Sequence, residues 1–355
     1  MSDGAPLPVV IITGFLGAGK TSLLNTLLRA PELTSSLVLI NEWGEVGLDH
    51  LLIEKVVGDM ILLNSGCVCC TLRGDLVEAL RSCLERRDSG AIPPFERIMV
   101  ETTGLAEPSP VMQAIVGDAV LARRLRLAGI VTLVDAINGE ETLARHSVAA
   151  RQVAVADLLA ISKSDLINPA TRAATPHDLA ATLRALNPVA GILDGAAGEL
   201  GPKDLLDLMR QDSIRAGHES TTLTTPLFHN AWIKTRVLRV TVPLEANAFA
   251  AFLALLSEQL GPKLLRIKGL VALNDNPERP LVLQGAQHLL DVTRRLVRWP
   301  DADRTTRIVL IVEGMSAATI DRLWGALTHA PAVDAPDMAA LTQSPLSLPR
   351  GGLMD

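Results

Sequence analysis

One glycine-rich segment constrains the fold of this chain more than any other part of its sequence. Residues 14–21 (GFLGAGKT) match the pattern G-x-x-x-x-G-K-[ST], in which a backbone loop wraps around nucleotide phosphates. The apolar run at residues 9–12 (VVII) predicts a buried strand before the loop, and residues 21–29 (TSLLNTLLR) predict a helix after it. Strand, phosphate-binding loop (P-loop) and helix in this order predict an α/β nucleotide-binding domain.

The chemistry of the loop follows from its residue types. Glycines let the backbone approach the phosphates, and the helix N-terminus adds partial positive charge. Lys20 is predicted to reach the β- and γ-phosphates, and the hydroxyl of Thr21 is predicted to ligate Mg²⁺. The predicted nucleotide contacts of the loop are Gly14, Gly17, Ala18, Gly19, Lys20, Thr21 and Ser22.

The remainder of the first half alternates strand and helix patterns. Candidate strands lie at residues 37–40, 60–63, 97–101, 129–134 and 158–161, and candidate helices include residues 72–87 and 176–186. This alternation predicts an α/β fold of the P-loop NTPase type, with a mostly parallel, doubly wound sheet. Such sheets bind ligands beyond the carboxyl ends of their strands, so we expect the loops at those ends to form one site.

A smaller α+β domain is predicted to follow. The strand and helix signals weaken at residues 187–235, which are rich in Gly, Ser, Thr and Asp. Beyond them, strand patterns occur at residues 237–242, 264–273, 281–283 and 308–312, and helical patterns at 245–260 and 316–327. We therefore predict a P-loop domain at residues 1–215, a linker at 216–234, a C-terminal α+β domain at 235–330 and a disordered tail at 331–355.

Bulk properties exclude several classes of partner. The net charge of -6 in 355 residues gives no basic surface for nucleic acid or for a membrane. No apolar run is long enough to span a bilayer. The first residues, MSDGAPLP, lack a basic n-region and a leader-like apolar block, so we do not expect secretion. We therefore expect a cytoplasmic protein that binds neither nucleic acid nor membrane.

Two further segments indicate which nucleotide is bound. Residues 101–104 (ETTG) directly follow an apolar strand, so Glu101 is a candidate Mg²⁺ contact and Gly104 a candidate sensor of the γ-phosphate. Residues 162–165 (SKSD) follow the strand at 158–161. The carboxylate of Asp165 can accept two hydrogen bonds from guanine, a pair that adenine does not offer, and Lys163 is expected to lie along the purine ring.

A cysteine cluster indicates a second kind of ligand. Cys67, Cys69 and Cys70 are three of the four cysteines in the chain. Neighbouring cysteines pair poorly as disulfides, whereas thiolates favour Zn²⁺ and Cu(I) over Mg²⁺. Cys83 lies in a predicted helix and is expected in the core. The cluster is then an incomplete cage of two or three thiolates, with a carboxylate, a water or a partner group as the remaining ligand, as a site that releases its metal would need. Purely structural cysteines are the alternative.

Two acids precede this cluster, in residues 41–47 (NEWGEVG). Glu42 is a candidate for the Mg²⁺ sphere or for the attacking water, and Glu45 is a candidate fourth ligand of the thiolate site. A solvated loop is the alternative. The candidate catalytic residues are therefore Lys20, Glu42, Glu101 and Gly104.

These elements, in this order, resemble the CobW family of metal-handling GTPases. The resemblance extends from the P-loop domain into the second domain and leaves out the proline-rich tail. It rests on residues 8–21, 41–47, 64–70, 101–108 and 162–165, together with RIKG at 266–269 and LQG at 283–285.

The resemblance implies GTP hydrolysis coupled to delivery of a transition metal, commonly zinc and in some members cobalt. It implies that Glu101 is the Walker B acid, that the three clustered cysteines form the metal loop, and that the C-terminal domain meets a client protein or a second copy of the chain. Ser162 replaces the usual Asn, Trp43 replaces the usual Phe, and the histidine-rich stretch of many members is absent.

Two other functions stay open on the sequence alone. A P-loop kinase for a small molecule would prefer ATP and transfer phosphate to an acceptor. A nucleotide-gated module that senses metal or assembles a complex would bind nucleotide tightly and release little phosphate.

Overall fold

Two sheets organise the computed structural model, which describes residues 5–40, 61–64, 74–167, 176–195, 199–210, 233–286 and 289–328. One sheet is parallel and has seven strands; the other is antiparallel and has five. The predicted fold, a P-loop NTPase domain with a smaller α+β domain, is confirmed by this architecture. The domain boundaries stay predictions, because the linker lies mostly, and the tail wholly, outside the described residues.

The parallel sheet has the order β3-β2-β4-β1-β5-β6-β7. Its strands are β1 (Leu7–Gly14), β2 (Ser36–Ile40), β3 (Ile61–Asn64), β4 (Arg97–Glu101), β5 (Leu125–Asp135), β6 (Leu158–Ser162) and β7 (Gly191–Asp194). Its helices are α1 (Lys20–Leu28), α2 (Gly74–Asp88), α3 (Ser109–Gly117), α4 (Leu121–Arg124), α5 (Gly139–Arg145), α6 (Ser147–Val155), α7 (Pro176–Leu186) and α8 (Pro202–Arg210).

Apolar residues on both faces explain why the central strands are continuous hydrophobic runs. Val9 and Ile11 pack in a core with α2, α3, α6 and α7, whereas Val10 and Ile12 pack in a second core with α1 and α8. All four side chains are fully buried. A strand that is covered on both faces is apolar at successive positions and does not alternate with polar residues. Continuous apolar runs of this kind are typical of parallel sheets.

The antiparallel sheet has the order β11-β10-β9-β12-β8. Its strands are β8 (Ile233–Val240), β9 (Leu264–Val271), β10 (Leu281–Ala286), β11 (Leu289–Arg295) and β12 (Thr306–Glu313). The helices α9 (Ala246–Leu260) and α10 (Ala317–Thr328) share one core with this sheet. Strand β11 was not predicted from the sequence, because its LLDVTRR pattern is weakly apolar and it pairs only with β10 in the sheet order.

The two domains share a buried interface. Ile233, Leu265, Ala286 and Ile311 of the C-terminal sheet belong to the same core as helices α6 and α7 of the first domain. No helix among the described residues has the length and apolar character to cross a membrane.

A charged triad lies at this interface. The carboxylate of Asp157, just before β6, accepts hydrogen bonds from Arg266 and, at 3.3 Å, from Nζ of Lys268. Its second oxygen accepts from the N–H of Ile130 at 3.0 Å. The three side chains are at most 10% exposed. Two residues of the RIKG segment are therefore used to join the domains.

Removing the carboxylate from this triad is expected to destabilise the protein strongly. In Asp157→Asn the charges of Arg266 and Lys268 stay buried without a compensating anion, and we expect a loss of about 3 kcal/mol or more in the free energy of unfolding. Chemical denaturation measures it. The control Glu141→Gln removes the exposed Glu141–Arg145 pair of α5, where a loss of about 0.5 kcal/mol is expected. Equal losses in both variants would contradict the prediction.

The same triad predicts an acid dependence of stability. Burial by itself raises the pKa of Asp157, but the charges of Arg266 and Lys268 and the Ile130 N–H outweigh burial and hold this pKa below its ordinary value of 3.8. The unfolded chain therefore binds the proton more readily, so the stabilisation is complete above the ordinary value and is lost as the pH falls below it. The difference in unfolding free energy between the native protein and Asp157→Asn should narrow below about pH 4; a constant difference would contradict the account.

Candidate functional site

The P-loop lies between the end of β1 and the start of α1. Gly14 has φ 142°, and a Cβ atom there would lie 2.5 Å from the carbonyl oxygen of Leu133. Only glycine fits this position, because a side chain would meet the backbone of the neighbouring strand. Gly17 and Gly19 also have positive φ, and Gly19 is the N-cap of α1.

Two side chains at the start of α1 point to the predicted site. Nζ of Lys20, which is 8% exposed, donates to the carbonyl of Gly14 at 3.0 Å. The hydroxyl of Thr21 donates to Oε1 of Glu101 at 2.8 Å. The structure therefore brings together the lysine, the hydroxyl and the acid that the sequence predicts as phosphate and Mg²⁺ contacts.

Strand register explains how Glu101 reaches this position. Strands β1 and β4 are adjacent and pair Ile12 with Glu101. Directly beyond, the hydroxyl of Thr102 donates to that of Thr13 at 2.7 Å, and the N–H of Thr102 donates to the carbonyl of Ile12 at 2.9 Å. These buried contacts join the carboxyl ends of the two strands, so Glu101 is held against the P-loop.

Gly104 lies in close contact with the P-loop. A Cβ atom at Gly104 would lie 2.6 Å from the backbone N and 2.7 Å from Cα of Leu16. The 102–108 loop and the P-loop therefore touch through their backbones, and this contact requires a residue without a side chain. Any displacement of one loop must be accommodated by the other.

The 162–165 segment lies at the end of β6, on the same edge of the sheet. The Ser162 hydroxyl donates to the P-loop carbonyl of Ala18 at 2.7 Å, and Nζ of Lys163 donates to Asp135 at 2.7 Å. The Ser164 hydroxyl donates to Asp194 at 2.6 Å.

Three consecutive side chains thus hold this segment in place, and Asp165 is left exposed. Among the described residues, no hydrogen bond or ion pair occupies the carboxylate of Asp165.

Asp135 was missed by the sequence analysis. It lies at the end of β5 and pairs in register with Ser162. Burial by itself raises the pKa of Asp135, but Lys163 and the N–H groups of Ile137 and Asn138 outweigh burial and lower this pKa. Its place at the carboxyl end of a predicted central strand was the sequence signal that could have identified it.

Ser162 also has a use that the sequence analysis did not predict. Its hydroxyl contacts the P-loop directly, whereas the sequence analysis noted only that Ser162 stands where the family usually has Asn. Gln152, in the middle of α6, is like Asp135 a residue near the site that lies outside every sequence motif named above.

The predicted transition-metal ligands, Glu45, Cys67, Cys69 and Cys70, lie outside the described part of the chain, and so does Glu42, which was predicted for the Mg²⁺ sphere or the attacking water. Among the residues that the structure does describe, no three His, Cys, Asp or Glu side chains are grouped as metal ligands. Cys83 is buried in α2, and burial raises the pKa of its thiol. It therefore lies in the core, as the sequence predicts.

Comparison with known proteins agrees with this geometry. The fold and the P-loop define the chain as a P-loop NTPase with an appended α+β domain. The model of the CobW/HypB/UreG nucleotide-binding domain matches residues 8–193, and that of the cobalamin synthesis protein cobW C-terminal domain matches residues 233–328. The chain belongs to the CobW/HypB/UreG family.

Three curated relatives have names that concern zinc. The zinc chaperone YjiA of Escherichia coli is 32% identical over 80% of this chain and 87% of its own length. The zinc chaperone CobW of Pseudomonas aeruginosa is 29% identical over 90% of this chain and 91% of its own length. The zinc-regulated GTPase metalloprotein activator 1 of Schizosaccharomyces pombe is 34% identical over 61% of this chain and 51% of its own length.

A solved structure supports the comparison at the level of the fold and the family. The crystal structure of Zn(II)-bound YjiA GTPase from E. coli has a TM-score of 0.67 and 25% identity to this chain, and covers 91% of this chain and 99% of its own. Zinc is therefore present in a structure of a relative that shares the architecture.

The close contact at Gly104 predicts a position-specific cost. Gly104→Ala forces Cβ into the backbone of Leu16, and we expect a loss of about 1–3 kcal/mol in unfolding free energy from overpacking. Gly201→Ala is the matched control, because its Cβ would come no closer than 3.9 Å to a neighbour. Thermal unfolding compares the two variants, and a Gly104→Ala protein as stable as Gly201→Ala would show that the loops are not in contact.

Proposed function

We propose that this chain is a GTP-hydrolysing metallochaperone. It binds GTP with Mg²⁺ at the P-loop, binds a transition metal at Cys67, Cys69 and Cys70, and delivers that metal to a client protein under control of the GTP cycle. Zinc is the favoured cargo, with cobalt as the alternative. The single observation that supports this most directly is the meeting of Lys20, Thr21 and Glu101 at one edge of the sheet.

The donor set fits a triphosphate with Mg²⁺. Mg²⁺ prefers oxygen ligands and is commonly held by few protein groups together with substrate phosphates. Thr21 and Glu101 supply a hydroxyl and a carboxylate oxygen 2.8 Å apart. When bound, Mg²⁺ would neutralise the negative charge on the phosphates, and Lys20 would add a positive charge beside it.

The preference for guanine rests on Asp165. Ser162, Lys163 and Ser164 are used to position the loop, so the exposed carboxylate of Asp165 is the group available to the base. A carboxylate that accepts from both N1–H and the exocyclic amine rejects adenine, because adenine would leave it without those two donors. The Lys163–Asp135 pair supports this assignment by fixing the stem of Lys163 beside the expected base.

The zinc assignment rests on the sequence and on the relatives. Thiolates suit Zn²⁺, and three within four residues form an incomplete cage that Glu45 is proposed to complete. YjiA, whose crystal structure is Zn(II)-bound, shares the fold of this chain, and YjiA and CobW are both named zinc chaperones. Thiols must lose their protons to bind metal, so zinc affinity should fall with decreasing pH.

Coupling of the two ligands is proposed to run through the loops that follow β2 and β4. The γ-phosphate would hold Gly104 and the segment with Glu42 and Glu45, and the thiolates would then enclose one metal ion. Hydrolysis would release these loops and open the cage to the client. Glu42 is proposed to activate the attacking water. If GTP tightens metal binding, metal must tighten GTP binding by the same factor.

The remaining assignments follow from composition and from the names of the relatives. We propose a cytoplasmic protein whose partner is a metal-requiring client, with a homodimer as a further arrangement of the C-terminal domain. Two alternatives would be recognised by experiment. Phosphate transfer from ATP to a small acceptor would indicate a kinase, and tight nucleotide binding with little phosphate release would indicate a sensing or assembly module.

Nucleotide specificity can be tested by exchanging a hydrogen-bond acceptor for a donor. In Asp165→Asn, two charge-assisted hydrogen bonds to guanine are lost, and we expect GTP affinity to fall roughly 100-fold or more. Xanthosine triphosphate has a carbonyl in place of the exocyclic amine, so the same variant should bind it more tightly than the native protein does. Nucleotide titrations measure both effects.

The control for this exchange is Glu258→Gln, an exposed carboxylate on α9 of the C-terminal domain. It should retain the native preference. An Asp165→Asn protein that still prefers GTP would show that another group recognises the base.

The metal site can be tested with the four cysteines. Replacing Cys67, Cys69 and Cys70 by Ser should abolish zinc binding in the presence of a non-hydrolysable GTP analogue, while binding of the analogue itself persists. Cys83→Ala is the matched control and should bind zinc as the native protein does, because Cys83 is buried in the core. Zinc titration with and without the analogue gives the coupling, and equal zinc affinities under both conditions would refute it.

A further inference from the structure

Helix α6 separates the nucleotide edge from the C-terminal domain. It contacts β1 in the first sheet and β9 in the second. Two consecutive residues in its middle, Arg151 and Gln152, contact the 102–108 loop, and Arg151 also contacts the C-terminal sheet. A link between the site and the second domain therefore passes through one turn of one helix.

Gln152 holds the backbone of the 102–108 loop. Its side chain is fully buried, and Nε2 donates to the carbonyls of Gly104 at 3.2 Å and of Ala106 at 2.9 Å. Its own backbone carbonyl accepts from the Thr132 hydroxyl at 2.9 Å. The loop is thus attached to α6 at the residue proposed to respond to the γ-phosphate.

Arg151 connects the same loop to the other domain. Its guanidinium donates to Oε1 of Glu107, at the end of the loop, and to Oε1 of Glu313, at the end of β12, from Nη2 at 2.7 Å and from Nε at 3.1 Å. The three side chains are between 20% and 32% exposed. Such partial burial weakens screening by water and salt compared with a surface pair.

One cation between two carboxylates cannot fully neutralise both. If Glu107 moves away, all the donors of Arg151 become available to Glu313, and if Glu313 is neutralised, Arg151 pairs with Glu107 alone. The two ion pairs therefore compete for one guanidinium. Because of this competition, the position of the 102–108 loop affects the strength of the Arg151–Glu313 ion pair between the domains.

We propose that Arg151 is a positioning residue through which the 102–108 loop and the C-terminal domain act on one another. In this proposal, GTP draws Gly104 toward the γ-phosphate, Glu107 withdraws from Arg151, and the Arg151–Glu313 pair becomes stronger. The C-terminal domain is then held more firmly in the GTP state than in the GDP state. The proposal rests on the proposed nucleotide site and extends it to the second domain.

Reciprocity gives opposite expectations for the two acids. A bond that is stronger in the GTP state favours that state, so Glu313→Gln should lower the preference for GTP over GDP. A bond that holds the loop in the present position opposes the GTP state, so Glu107→Gln should raise that preference. If Arg151 were only a structural bridge, the two variants would not shift the preference for GTP over GDP in opposite directions, because each variant simply loses one ion pair.

The experiment measures the affinity ratio of a non-hydrolysable GTP analogue to GDP in the full chain. We expect this ratio to fall roughly fivefold in Glu313→Gln and to rise by a similar factor in Glu107→Gln. A factor of about five is at the low end of the usual coupling between two sites, because both ion pairs are partly exposed. Glu313→Asp, which keeps the charge, should give a ratio between those of Glu313→Gln and the native protein. Asp321→Asn removes the acceptor of Arg236 within the C-terminal domain and should leave the ratio within about twofold.

The outcomes separate this proposal from the proposed function. Suppose that the native protein binds GTP, but the affinity ratios of both Gln variants stay within about twofold of the native ratio or shift in the same direction. This result overturns the role of Arg151 and leaves the proposed function standing. Native protein that does not bind GTP overturns both. Thermal unfolding of each variant confirms that the ratios come from folded protein.

Discussion

The register between β1 and β4 is the constraint on which the architecture of the site depends. These strands are adjacent and parallel and pair Ile12 with Glu101, which places the acid 2.8 Å from the Thr21 hydroxyl in the first turn of α1. A shift of one residue in that register would turn the acid to the opposite face of the sheet. The buried core on both faces of β1 fixes the register, so the chemistry at the edge is a consequence of packing in the middle.

The opposite side of the site is formed by the 162–165 segment, which side-chain hydrogen bonds hold in place. At the end of β6, successive side chains are anchored to the P-loop, to Asp135 and to Asp194, which leaves Asp165 as the exposed member of the segment. Ser162 is short, yet its hydroxyl reaches the carbonyl of Ala18 and joins the 162–165 segment to the P-loop. Preorganisation of this kind lowers the cost of ordering the loop when a nucleotide binds.

Sequence reasoning predicted the position of a segment in the fold correctly where the pattern lies within a few neighbouring residues. The P-loop, the acid at the end of β4 and the 162–165 segment have fixed local spacing, and their strands are long apolar runs. It failed where the partner is distant: Lys163 and Asp135 are 28 residues apart, and Asp157 and Arg266 are 109 residues apart. The position of Asp135 at a strand end was a local signal, but its pairing with Lys163 is set by the order of strands. Nothing local distinguishes Asp157 from a solvated aspartate, because its partners are set by the docking of two domains.

The central claim is that the P-loop edge binds GTP with Mg²⁺, with Asp165 at the base. A crystal structure with a non-hydrolysable GTP analogue and Mg²⁺ tests it most directly. The account predicts that the Thr21 hydroxyl leaves Glu101 to ligate the ion, that Lys20 contacts the terminal phosphates, and that the Asp165 carboxylate accepts from guanine. A bound nucleotide with its base away from Asp165, or with the Thr21–Glu101 hydrogen bond intact and no ion beside it, would contradict the account.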